Sequence, residues 1–375
     1  MTDRAAAPVG QGQQVRDRFP DLLRSLALGA VILGHWIMGA VAVGPDRIMT
    51  VDNVLNINRF LWPITWALVL IPLFFFVGGF SNATSLTRAH ARGTGSGAWV
   101  RRRVSGLLIP ALPFIGVVAA VAGLALLLGA PTGLTLTIAV VVVMPLWFVA
   151  VYGGLAALTP ALFALHRRFG WRVVLVLAVL AVMVDLLRTA LDQPLIGWLN
   201  YVFVHATSQQ LGFFYFDGRL SKLPMPALLS WATLALGCLA ATVATSTYAE
   251  SMVGLSGERS NMSPPGIPSL LHGLVLIPLA VAALPWLKTW IDKPKAAQVL
   301  DVAARYSMRA FLWHLPVLVI VYGLLYVAHV PFPTPGTGAW WATRLLLLPI
   351  LGVSLWGWLA AGDRLHRGSG AGSVD

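Results

Sequence analysis

His35 and Arg24 stand eleven residues apart in the first strongly apolar stretch of the chain, which begins Asp21-Leu22-Leu23-Arg24 and runs to Leu33-Gly34-His35. Eleven helical steps of ~100° make three turns plus ~20°, so both side chains share one helix face, ~16 Å apart along its axis. Fourteen residues into a span, His35 is ~21 Å deep. An uncharged imidazole there can take a proton from a hydroxyl and return it to a leaving group, as general base and then acid. The plainer alternative is a hydrogen bond to a neighbouring helix. Arg24 is either an orienting cation at the membrane surface or a ligand for an anionic substrate. Asp21 is placed to cap the helix or to pair with Arg24.

A second cationic group, Arg101-Arg102-Arg103, enters the third apolar segment. Three consecutive guanidiniums suit phosphate groups through bidentate bonds, and equally suit anionic lipid. His90, His166 and His366 lie among loop arginines and read as surface. His205, His272 and His314 lie in apolar segments, His205 followed by the polar patch Ser208-Gln209-Gln210, which must face other helices or a cavity. Asp185 is expected to pair with Arg188. No histidine or carboxylate spacing suits a metal, so no catalytic metal is expected. The chain has no nucleophile elbow, Walker loop or dinucleotide fingerprint, which removes soluble-type hydrolase, nucleotide-hydrolysing and dehydrogenase readings.

The elements that must position these residues are membrane spans. The 375 residues are 58% hydrophobic and 11% charged, against roughly 25% charged in a soluble domain, and mean hydropathy is +0.78. Ten apolar segments are expected as spans: 21–43, 60–80, 104–128, 142–165, 173–188, 196–216, 226–247, 269–287, 309–329 and 340–361. Pro145 is expected to mark the true start of the fourth. The fold class is therefore all-α and polytopic, with a disordered cytoplasmic tail over 1–20, a transmembrane domain over 21–361 and a cytoplasmic tail over 362–375. The one cysteine, Cys238, excludes an internal disulfide.

The net charge of +12 could suggest nucleic acid, but its distribution points to the bilayer instead. With the N-terminus cytoplasmic, 21 of the 26 basic residues fall on inner loops and helix feet; Arg47, Arg59, Arg188, Arg259 and Arg344 remain outside. This bias favours an even number of spans with both termini inside, and no nucleic acid as a partner. Two outer loops are long, 44–59 and 248–268. The second carries both glutamates, Glu250 and Glu258, and reads as a flexible solvated loop or as a device for acceptor capture.

Asp21-x-x-Arg24 followed by His35 resembles the opening signature of the membrane acyltransferase-3 family. Phe74-Phe75-Phe76-Val77-Gly78-Gly79-Phe80 is similar to its second-span element, and Arg101 to Arg103 before Leu107-Leu108-Ile109-Pro110 to its basic approach to the third. Leu146-Trp147-Phe148 and Tyr306-Ser307 with Leu312-Trp313-His314-Leu315-Pro316 resemble two further elements in the same order. The likeness spans Asp21 to about Ala361, and the composition resembles actinobacterial members.

The resemblance implies a multi-pass enzyme of the bacterial plasma membrane. Such an enzyme moves an acyl group, often acetyl, from cytoplasmic acyl-CoA to a hydroxyl of a carbohydrate, glycolipid or secondary metabolite, with no bound cofactor. It implies His35 as the catalytic residue and Arg24 on the donor side, joined by Arg101, Arg102 or Arg103. The family pattern of two arginines three apart is broken here, since Gly106 follows Arg103. Asp21, Asn82, Trp147 and His314 are expected in support, with Asn82, Asn200 or Gln210 as oxyanion donors. The rival readings are a transporter of a lipid-linked or acylated small molecule, and an acyltransferase homologue without activity. Against transport, no carboxylate lies at mid-membrane and the two halves show no repeat.

Overall fold

A computed structural model describes residues 17–44, 48–245, 247–255 and 259–370. Expectations for residues 1–16, Arg47, Glu258, the His366 side chain and residues 371–375 lie outside what is described.

The first helix, α1 (Phe19–Met38), begins two residues inside the expected tail, with Phe19 and Pro20 buried. It ends five residues early, because Gly39-Ala40-Val41-Ala42-Val43 forms strand β1, paired antiparallel with β2 (Met49–Asn53). β-Branched valines alternating with small residues favour the pleated ribbon over another helical turn. Short helices α2 (Val54–Ile57) and α3 (Trp62–Leu68) then lead into α4 (Ile71–Ala91). Next come α5 (Ser96–Leu108) and α6 (Ala111–Leu127), then α7 (Thr132–Val143) and α8 (Leu146–Phe169), which begins directly after Pro145 as expected.

The chain continues through α9 (Trp171–Ala190), α10 (Asn200–Phe216) and α11 (Met225–Ala244). The last elements are α12 (Ile267–Ala282), α13 (Leu284–Ile291), the 34-residue α14 (Pro294–Val327) and α15 (Gly338–Gly370). The helix therefore continues nine residues into the expected C-terminal tail, where Asp363 binds Arg309 at 2.6 Å.

Among the described residues, eight helical segments are long and apolar enough to cross a membrane, and a ninth is added if α12 and α13, bent by 58°, form one span. The remaining expected segment, 196–216, contains α10, which at 17 residues is shorter than that test requires. It occupies the centre of the bundle, with His205, Thr207, Ser208, Gln209 and Gln210 all buried. The outward faces of α6, α9, α11 and α15 carry exposed Leu and Val, as lipid contact requires.

Glycines set the closeness of α4 and α10. A Cβ on Gly79 would overlap the carbonyl oxygen of Gln209, and one on Gly212 would overlap that of Phe76. Small residues let two helix backbones touch where lipid offers no hydrophobic drive to pack them. The Gly78-Gly79 pair of the sequence element is thus a packing device, with Gly78 lying under the Tyr152 ring.

Candidate active site

The two elements carrying His35 and His314, α1 and α14, pack together so that the imidazoles meet. His35 Nδ1 and His314 Nε2 are 2.8 Å apart, and the ring planes are nearly parallel, at 9°. His314 is fully buried, and its Nδ1 lies 2.6 Å from the Phe311 carbonyl oxygen. Trp36 Nε1 donates to the His314 carbonyl at 3.0 Å and locks the same two helices one residue further along.

This chain of bonds fixes where the protons sit. A carbonyl only accepts, so His314 Nδ1 must carry a hydrogen, and uncharged His314 then presents a lone pair at Nε2. His35 must therefore donate from Nδ1, which leaves its Nε2 as the lone-pair nitrogen. Nε2 makes no hydrogen bond among the described residues, and His35 lines a cavity. A base held in one tautomer by a bond to its other nitrogen is the arrangement that proton abstraction requires.

That cavity holds about 120 Å³ and is almost wholly apolar. α1 contributes Ala27, Ala30, Val31, Gly34, His35 and Met38; α8 contributes Trp147 and Phe148, with Pro145 beside them. Val54, Leu55, Ile64, Thr65 and Phe74 form the opposite wall. Trp147 lines the same cavity as His35 and stacks towards buried His205, 6.3 Å between ring centroids.

A second cavity, about 880 Å³, lies at the other end of the same helices. It is lined by Asp17, Asp21, Arg24, Ser81, Thr84, Ser85, Arg88, Arg92 and Arg103. Four guanidiniums against two carboxylates leave it cationic. Arg24 donates to Ser81 Oγ at 2.9 Å and lies 3.9 Å from Asp21. Arg103 Nε donates to Asn82 Oδ1 at 3.0 Å, and Asn82 donates to Thr159, which also accepts from Gln209. The two cavities meet α1 one turn apart, at Arg24 and Ala27.

The arginine triplet is resolved by burial: Arg103 lines the cationic cavity, whereas Arg101 and Arg102 are exposed and do not. Asn82 belongs with Arg103, not with His35, so it is no oxyanion donor in this arrangement. Asn200 donates to the Ala181 carbonyl and Gln210 to that of Leu162; both are spent on helix packing. Asp21 does not cap α1. It sits inside the first turn, and Asp17 accepts from the Phe19 amide at 3.0 Å instead. His166, expected at the surface, is buried against Phe214 and pairs with Asp217 at 3.0 Å. Arg344, assigned by the charge distribution to the outer side, is buried between the Tyr322 and Trp340 rings.

Sequence reasoning missed Arg88 and Arg92. The signal was present, since Ser81, Thr84, Ser85, Arg88 and Arg92 repeat at helical spacing on α4. Among the described residues no group of three or more His, Cys, Asp or Glu is placed to hold a metal.

The described residues of the long segment 248–268 do not form a free solvated loop. Asp185 and Arg188 pair at 2.6 Å in the core as expected, and they anchor it: Asp185 accepts from Tyr248 and the Ile267 amide, and Arg188 donates to the Pro264 carbonyl. Burial, then the Asp185 charge and hydrogen bond, raise the Tyr248 phenol above its ordinary range. Met252 binds Thr65 through its amide, and the flanking Val253 and Met262 roof the cavity beside His35.

A family model described as an acyltransferase domain, of the acyltransferase-3 family, matches residues 17–360, nearly the whole chain. No curated protein and no solved structure matches it.

Proposed function

Because this chain belongs to the acyltransferase-3 family, we propose that the two cavities along α1 form one transfer site, carrying an acyl group from cytoplasmic acyl-CoA to a hydroxyl of a carbohydrate, glycolipid or other small molecule. The cationic cavity takes the donor's phosphates, with Arg24, Arg103, Arg88 and Arg92 as ligands. The pantetheine arm runs along α1, whose ~16 Å from Arg24 to His35 is comparable to its extended reach. The thioester then lies inside the apolar cavity, beside His35.

The acceptor hydroxyl gives its proton to His35 Nε2 as its oxygen attacks the thioester carbonyl. The carbon–oxygen bond forms, the carbon–sulfur bond breaks, and the imidazolium returns the proton to the departing thiolate. His314 accepts the His35 Nδ1 hydrogen throughout, so it orients the base and shares the transient charge. With the N-terminus cytoplasmic, the donor enters from the cytoplasm and the acceptor from the outer or lateral side of a bacterial plasma membrane.

The observation that carries this reading is the bond path Phe311 carbonyl–His314–His35, ending in an unpartnered nitrogen at a cavity wall. The test is acyl-CoA turnover by purified protein and its His35→Ala variant, with size-exclusion behaviour matched. Turnover should vanish in the variant; transfer at the wild-type rate would dismiss His35 as the base.

A further inference from the structure

The wall around His35 is built for hydrocarbon, not for sugar. Beside the imidazole, its one hydroxyl-bearing side chain is Thr65, whose oxygen already donates to the Trp62 carbonyl and accepts from the Met252 amide. A polyhydroxylated ring seated there would leave its hydroxyls unpartnered, at about 1–3 kcal/mol for each buried group. An acetyl group, with its single methyl, would fill only part of a cavity of about 120 Å³, close in size to a core cavity of about 150 Å³ that takes a benzene-sized guest.

The cavity also starts in the right place for the donor. It begins at Ala27, one turn from Arg24, passes His35, and continues to Met38 and beneath the Met262 roof. A thioester placed at His35 by a donor anchored on Arg24 would therefore send its acyl tail onward into this space. We infer that the group transferred is an apolar acyl chain several carbons longer than acetyl, and that the apolar cavity is its binding site. The inference rests on the donor-site reading above.

Gly34 provides the probe. A Cβ built on it meets nothing within 4 Å, so a larger side chain enters the open cavity without pressing on its neighbours. Binding of acetyl-, butyryl-, hexanoyl- and octanoyl-CoA to full-length protein in detergent should tighten up to about fourfold per added methylene until the space is filled. In Gly34→Leu the ratio of octanoyl- to acetyl-CoA affinity should fall at least tenfold, and Met38→Trp, one turn further along and past His35, should act likewise. A flat series would overturn the inference. So would a chain-length dependence, sensitive to Gly34→Leu, found only for n-alkyl alcohols offered with acetyl-CoA, since the cavity would then serve the acceptor. Because binding needs no turnover, the series is repeated in His35→Ala. A slope retained there, with no His35-dependent transfer in the wild type, overturns the catalytic reading alone; His35-dependent transfer with a flat series overturns this inference alone.

Discussion

His35 and His314, 279 residues apart in the chain, share a single proton-bearing contact of 2.8 Å that decides which nitrogen of His35 is basic. The contact is long-range in sequence and short in space, and it joins the first helix of the bundle to one of the last. Removing His314 leaves His35 in place but unoriented. In His314→Leu, kcat should fall by about 10²–10⁴-fold, the scale of general-base assistance, with donor KM nearly unchanged. His314→Gln, whose amide oxygen can still accept from His35 Nδ1, should recover part of the loss. Steady-state kinetics on the two variants checks this, and equal losses in both would mean that His314 only fills space.

Arg24 and Arg103 differ from Arg101 and Arg102 in address, not in charge. Arg24→Ala and Arg103→Ala each remove a guanidinium from the cationic cavity and should raise donor KM by roughly 10–100-fold, as for hydrogen bonds to charged groups. Arg101→Ala and Arg102→Ala should change it by less than about twofold, since exposed cations contribute little. Donor titrations at fixed acceptor separate the pairs. Four equal effects would return the triplet to a general electrostatic role.

Gly79 and Gly212 hold α4 and α10 at backbone contact. Gly79→Ala and Gly212→Ala should each cost about 1–3 kcal/mol or more through forced separation of the helices, lowering the unfolding midpoint in detergent. Gly29→Ala, where a Cβ meets nothing within 4 Å, should leave the midpoint almost unchanged. A thermal scan of the three variants suffices; similar midpoints throughout would show that the helices separate freely.

Much of this arrangement is legible in the residues alone. The spacing of Arg24 and His35, the helix break at Pro145 and the Asp185–Arg188 pair follow from helical geometry and from the cost of charge in lipid. What escapes is whatever depends on one helix meeting another. Nothing in periodicity places His314 against His35, binds Asn82 to Arg103, or buries His166 among Phe163, Phe213 and Phe214. Segment 248–268 is polar and rich in Pro and Gly, so it reads as mobile; its anchors are a buried ion pair on α9 and a threonine on α3. The stripe from Ser81 to Arg92 lies between the two cases. Its period is visible in the sequence, but it follows an apolar run, where cations read equally as the cytoplasmic foot of a span.

The roof of the apolar cavity has a different origin from its floor. His35, His314 and Phe311 belong to long helices locked by Trp36, whereas Val253 and Met262 come from a connecting segment held at its ends and by Thr65. Loops tolerate substitution far better than the packed helices they join. Descendants of this chain can therefore change what they accept by rewriting a few residues of one connection, while the proton chemistry is inherited intact.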